Sequence, residues 1–304
     1  TFTKWTNLQL TSIMTKQASN FFLTVMGSVF ICSNLFLSCS VSTPDSRDKQ
    51  VFRYNEHKNI GSLDPAFAKD NADISAVNQL FNGLVQMDTV LNVIPSIASS
   101  WHISEDAKTY TFQLRKDVYF HTHQLFGTTQ TRTVTADDFV FSFDRLKSPE
   151  LAAPGAWVLQ NVEHYKTIDT HRFQITLKTP FPAFLGLLTM KYCSVVPKEI
   201  VNHYGADFRS NPIGTGPFKF KRWEENIKLI LRKNKRYFET NTAGQKLPHL
   251  EAVAITFLAD KQSEFLQFVQ GNIDFISGLD ASYKDDILEA DGAINSRYTS
   301  SVKM

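Results

Sequence analysis

His121-Thr122-His123 sets two imidazoles on alternate residues. Alternate residues of an extended segment share a face, and two imidazoles are half of a zinc ligand set. With no third or fourth ligand nearby, the pair also reads as part of a polar loop. Asp137-Asp138 places two carboxylates side by side, but Thr135 opens a helix there, and the helix dipole accounts for acids in a first turn. Cys193 lies inside the apolar stretch Leu185–Val196, where a thiol is expected to be buried and inert; a nucleophile would need a histidine beside it. Gly214-Thr215-Gly216 has the glycines of a phosphate-cradling turn, yet no helix opens behind it and the P-loop lysine is missing. The basic run from Lys219 to Arg236 reads as a solvated strand face rather than an anion site. No Gly-x-Ser-x-Gly elbow or His-Glu-x-x-His helix is found. No catalytic residue, metal site or cofactor is assigned, and a non-enzyme is expected.

The elements that would position these groups follow from periodicity. Thr109–Leu114 (TYTFQL) alternates polar and apolar residues, and Val118–Phe120 resumes after the corner Arg115-Lys116-Asp117. That spacing predicts a hairpin. Phe139, Phe143 and Leu146 recur at helical spacing after Thr135. Upstream, a helix is predicted over Ser75–Leu84, preceded by the polar loop Ala68–Asp73, with Asp73 or Ser75 as its cap. Ile168–Leu177 reads as a second alternating hairpin arm. Phe218–Trp223 and Lys228–Arg232 read as paired strands, Leu250–Leu258 as a core strand, and Gln262–Gly271 and Ala281–Ala290 as helices.

At 304 residues and 42% hydrophobic content the chain can build a large core, and a formal net charge of +2 gives no support for nucleic-acid binding. Its 25 phenylalanines fall at strand and helix spacings, so core packing accounts for most of them. Met14-Thr15-Lys16, the apolar stretch Phe21–Leu37 and Ser38-Cys39-Ser40 have the layout of a secretory signal. Phe36-Leu37-Ser38-Cys39 resembles a lipobox, with Phe36 where Leu is usual. Lipidation at Cys39 is therefore expected, followed by a polar tether over residues 40–50. Cys32 falls inside the signal, which leaves Cys193 without a disulfide partner.

The block Ile97–Leu146 closely resembles the signature of the family 5 extracellular solute-binding proteins, the dipeptide- and oligopeptide-binding components of bacterial ABC importers. The matching residues are Trp101, Ser104, Asp106, Thr109–Phe112, Leu114, Arg115, Val118, Phe120, Thr135–Asp138, Phe141, Ser142 and Arg145. Leu63-Asp64-Pro65, Leu80-Phe81-x-Gly83-Leu84, Pro212–Phe218, Trp223 and Asn234-x-x-Tyr237 extend the match. The longer loop His121–Arg132 departs from it, since the family has a short Asp-Gly turn after Phe120.

The resemblance implies a mixed α/β (α+β) chain with the two-lobe, type II periplasmic-binding-protein fold, truncated after the first lobe. Residues 1–39 would be upstream sequence and signal. Residues 51–84 and 205–258 would form the lobe core, 85–204 an inserted subdomain, and 259–304 the start of a second lobe. It further implies ligand contacts at Lys69, Asp70, Asn71, Ala72 and Asp73, where a peptide backbone pairs by β-augmentation, and at Trp157 as an aromatic wall. For Lys69–Asp73 a solvated loop, and for Trp157 a cover over a subdomain core, remain as the alternatives. The expected protein is a monomeric lipoprotein on the periplasmic side of the cell envelope, delivering short peptides to membrane permease subunits. Because specificity groups of the second lobe would lie beyond Met304, weak or no peptide binding is expected from this chain. Nickel complexes, haem, oligosaccharides and a sensor role are the competing readings.

Overall fold

The computed structural model describes residues 50–289 and 291–296; the signal, Cys39 and most of the tether lie outside them. Strand β1 (Val51–Asn55) starts a sheet that the chain leaves and rejoins much later. The sheet order is β1-β10-β9-β8, with β8 at Phe218–Glu224, β9 at Lys228–Lys233 and β10 at Ala252–Thr256. β1 runs parallel to β10, and the other pairs are antiparallel. Between β1 and β8 the chain forms the small hairpin β2–β3 (Val85–Met87, Val93–Pro95) and a second four-stranded sheet. That sheet has the order β4-β5-β7-β6, all antiparallel, from Ala98–Ile103, Thr109–Leu114, Arg172–Leu177 and Val162–Asp169.

Helices α1 (Asn71–Leu80), α2 (Ala136–Lys147), α3 (Phe184–Leu187), α4 (Lys198–Tyr204), α5 (Lys261–Val269) and α6 (Lys284–Ile287) complete the framework. α1 packs Ala76, Val77 and Leu80 with Leu229, Leu231 and Ile255 of the first sheet. α2 packs Phe139, Phe143 and Leu146 with Tyr110, Phe112, Phe173 and Ile175 of the second. Phe143 and Phe173 meet edge to face at 5.5 Å. Each such fully buried ring contributes roughly 1.5–3 kcal/mol relative to exposure.

Several elements differ from their sequence reading. α1 begins four residues earlier than predicted, and its N-cap is Asp70, which accepts the Asp73 N–H (3.2 Å), instead of Asp73 or Ser75. Asp70 captures the helix because its short carboxylate reaches the free N–H three residues on. Thr109–Leu114 does not form a hairpin with Val118–Phe120. It pairs with β4 and β7, while Tyr119 makes an isolated bridge to Thr133. Ile168–Leu177 is not one arm: the turn falls inside it, at Thr170-His171, between β6 and β7. In both cases the alternation was real but the hairpin differs: β5 turns back on β4 and β7 on β6, and β5 then pairs with the distant β7.

The start of α2 is held as its residues suggested. Asp138 accepts the Thr135 N–H (2.9 Å) and both terminal nitrogens of Arg132 (2.8 and 2.7 Å). Arg132 also donates twice to Glu199 at 2.7 Å, tying α2 to α4 and anchoring the end of the long 121–132 loop. The Gly214–Gly216 turn lies against the end of α1. A methyl group at either glycine would run into the Gln79–Leu80 backbone, so close approach, not phosphate binding, explains both.

Candidate functional site

The turn-rich segment after β1 and the start of α1 build one wall of a cavity of about 930 Å³. Gly61, Ser62, Asp64, Phe67, Lys69 and Asp73 line this side; Arg145, Leu151, Ala152 and Pro154 line the opposite one. Val201, Asn202, Gly205, Ala206 and Arg209 close the end. The volume is in the range of small-molecule sites.

An ion pair secures the floor. Arg145, from the last turn of α2, donates to both carboxylate oxygens of Asp64, and its guanidinium lies 5.6 Å from the Phe208 ring centre. Asp64 also accepts the Ala66 N–H (3.1 Å), capping the short turn Pro65–Phe67. Both partners are largely buried, so the pair positions the wall while their mutual bonding leaves little capacity for ligand.

Asp73 is 2% exposed and accepts the Gly61 N–H at 2.9 Å. Burial raises its pKa above the ordinary carboxylate range, and the Asp70 charge adds to this, against the bond from Gly61. Asp70 itself is held below that range. Burial opposes the shift, but the Lys58 ammonium and the Asp73 N–H outweigh it.

The structure separates the sequence-predicted ligand residues. Lys69 and Asp73 line the cavity, with Lys69 exposed. Asp70 caps α1, Asn71 points outward as an exposed residue, and Ala72 is buried in the core under α1. Since Asn71–Asp73 are already helical, their backbone is not free to pair as a strand. An extended conformation stops at Asp70 (φ −126°, ψ 169°). Trp157 stands just beyond the 151–154 stretch and is 52% exposed.

Tyr192 is a residue that sequence reasoning missed. Its ring occupies the space where a side chain at position 155 would sit, so Gly155 is required by the contact. Burial, then the Asp73 carboxylate, raises the Tyr192 pKa, and the turn Lys191–Cys193 packs against Pro65–Phe67 and α1. The Lys191–Cys193 turn thus lies between α1 and the loop carrying Trp157. The only local signal was a glycine in the Pro154–Trp157 loop.

The other candidate groups are used internally. His121 accepts the Gly214 N–H on Nδ1 (3.3 Å), and its Nε2 donates to the Gly216 carbonyl (3.0 Å). His123 accepts the Leu125 N–H on Nδ1 (3.2 Å), and its Nε2 bonds the Tyr204 hydroxyl (3.1 Å). Cys193 is 1% exposed, and burial pushes its thiol up to about 12.

The family model for bacterial extracellular solute-binding proteins, family 5 (middle region), matches residues 92–303. The chain is 31% identical over 211 residues to the periplasmic oligopeptide-binding protein OppA of Salmonella typhimurium, covering 63% of this chain and 37% of that protein. It is 30% identical over 222 residues to the probable deoxycholate-binding periplasmic protein YgiS of Escherichia coli, covering 66% of this chain and 40% of that protein. The ABC transporter-associated periplasmic binding protein DppA of Helicobacter pylori, solved with peptide STSA, superposes with a TM-score of 0.70 at 26% identity. That superposition covers 78% of this chain and 48% of DppA. The chain therefore spans less than half the length of these relatives, and its fold is that of the first part of a type II periplasmic binding protein.

Proposed function

This chain belongs to the family 5 bacterial extracellular solute-binding proteins, and from that membership we propose that it captures short peptides for delivery to the permease of an ABC importer. In this reading the wall from Lys69 to Asp73 and the loop from Leu151 to Trp157 form the first-lobe side of the ligand cleft. The observation that carries it is the cavity of about 930 Å³ where Lys69, Asp73 and the 151–154 loop converge. Peptide-binding relatives add support. Asp70, extended just ahead of α1, would offer its N–H to a peptide, its carbonyl being taken by the Ile74 N–H, and Phe67, Leu151 and Pro154 offer apolar surface to the side chains. Residues 51–84 and 205–258 would serve as the lobe core, 85–204 as its inserted subdomain and 259–304 as the start of the second lobe. Lipid attachment through Cys39, a monomeric state and the absence of catalysis belong to the same proposal.

An amphipathic organic anion is a second reading. It is favoured by the apolar residues Phe67, Leu151, Pro154 and Val201 sharing the cavity with Lys69 and Arg209, and by the similarity to a relative described as binding deoxycholate. Titrating the isotopically labelled chain with trialanine and with deoxycholate, followed by amide chemical shifts, tests both. Small peptide-induced shifts grouped at residues 67–73 and 151–157, as weak binding to one wall of the cleft gives at millimolar peptide, are the expected result. Shifts that come only from deoxycholate would replace the first reading with the second, and shifts elsewhere would remove the site.

A further inference from the structure

A second cavity, of about 180 Å³, has a basic lining. Lys219, Lys233, Lys235 and Arg236 line it together with Thr122 and Asn234. The whole chain has a formal net charge of only +2, so this is a local arrangement and not a consequence of basic composition. Lys221, Arg222, Lys228 and Arg232 are exposed, as expected of a solvated strand face; the cavity lies at one end of that face, where β9 ends. Rungs Lys219–Arg232 and Phe218–Lys233 put Lys219 and Lys233 at the ends of β8 and β9 on opposite faces, with Lys233 turned toward Glu251. The turn after β9 then folds Lys235 and Arg236 back beside them. Asn234 holds that turn: its Nδ2 donates to the Gly216 carbonyl (2.9 Å), and its Oδ1 accepts the Arg236 N–H (3.1 Å). The buried His121, fixed on the same glycine turn, forms the back wall.

Compensating acids are few. Among the described residues Lys233 meets Glu251 at 3.0 Å, and Arg236 lies over the Tyr119 ring at 5.6 Å. Lys219 and Lys235 make no ion pair with a described carboxylate, and no Asp or Glu lines the cavity. Like charges brought together repel one another, and the same arrangement attracts an anion seated among them, where the protein walls reduce screening. Lysine ammoniums supply compact point charges, and an arginine supplies a planar fork that matches phosphate oxygens. Thr122 in the lining carries a neutral hydroxyl donor.

We propose that this cavity binds a phosphate group, either as inorganic phosphate or as the headgroup of an anionic lipid.

Calorimetric titration of the full chain with inorganic phosphate at low ionic strength tests the first source. Co-sedimentation with phosphatidylglycerol vesicles, against phosphatidylcholine vesicles, tests the second. Each is compared with the double variant Lys219→Gln/Lys235→Gln and with Lys116→Gln/Lys166→Gln, which removes the same charge at exposed positions outside the cavity. The expected result is binding weakened about tenfold or more in the first variant, each lost charge-assisted bond being worth roughly that factor, and little changed in the second. Saturable binding of phosphate assigns the free ion; binding only to phosphatidylglycerol vesicles assigns the headgroup. Equal weakening in both double variants would overturn the proposal. So would the lack of saturable phosphate binding up to about 10 mM together with no preference for phosphatidylglycerol.

Discussion

Acidifying this protein should remove a stabilising contribution from one buried histidine. His121 is 2% exposed, and burial, deepened by the Lys219 charge and opposed by the Gly216 carbonyl, pushes its pKa down to about 4. The bonding fixes the tautomer. Nδ1 faces the Gly214 N–H and must carry a lone pair, so the proton sits on Nε2 toward the Gly216 carbonyl. A second proton on Nδ1 would set two donors against each other. The folded state therefore disfavours protonation, whereas the unfolded chain protonates near 6.5. Between those values the unfolded state binds more protons, so stability is fully present above pH 6.5 and is lost as pH falls toward 4. A displacement from 6.5 to about 4, at about 1.4 kcal/mol per pH unit, amounts to about 3 kcal/mol, of which about 2 should be gone by pH 5. Urea unfolding of the unaltered chain and of His121→Gln at pH 7.5 and pH 5 measures the difference. The variant should be less stable at pH 7.5 but lose about 2 kcal/mol less on acidification. Parallel losses would refute the reasoning. Imidazole titration followed by NMR checks it without a variant, and a His121 midpoint above 6 would contradict it.

Gly214→Ala should destabilise by about 1–3 kcal/mol in denaturant unfolding, because the added methyl meets the Leu80 carbonyl and the Phe81 ring; an unchanged midpoint would show that α1 can yield. Arg145→Met leaves Asp64 buried without its cation and should cost about 3–5 kcal/mol, while Arg145→Met/Asp64→Leu should recover part of it, as a double-mutant cycle would reveal. Cys193 should resist iodoacetamide at pH 8 in the folded protein and react fully in urea, since its thiol is buried and pushed up to about 12; rapid labelling of the folded chain would contradict this. Trp157→Ala should change stability by less than about 0.5 kcal/mol, because the ring is 52% exposed, yet reduce peptide-induced amide shifts if the ring borders the cleft.

Much of the scaffold was legible without coordinates because its determinants are local. The Phe139, Phe143 and Leu146 stripe and the helix start at Thr135 with acids in its first turn depend on neighbours within a turn or two, and both appear in the structure. The pairing of β8 with β9 depends on a short connection, which also keeps its register local. α1 was misplaced by four residues because Asp70 and Asp73 are equally good caps in sequence. Gly61 decides between them by drawing the Asp73 side chain into the interior.

By itself the sequence determined that this chain has two sheet regions of alternating residues, the family block from Trp101 to Arg145, and a thiol destined for burial. Periodicity, capping and motif order are one-dimensional properties and survive without a partner. The tertiary structure alone decided that β5 lies between β4 and β7, that Tyr192 fills the space above Gly155, and that Lys69 and Asp73 share a cavity while Ala72 faces the core. It also decided how the two histidines are used. His121 is spent on the glycine turn at 214–216, and Asn234 ties that same turn to the end of β9, beside a cavity with a basic lining. Such convergence joins segments far apart in the chain, and burial and charge act on distances in space, which residue spacing does not record.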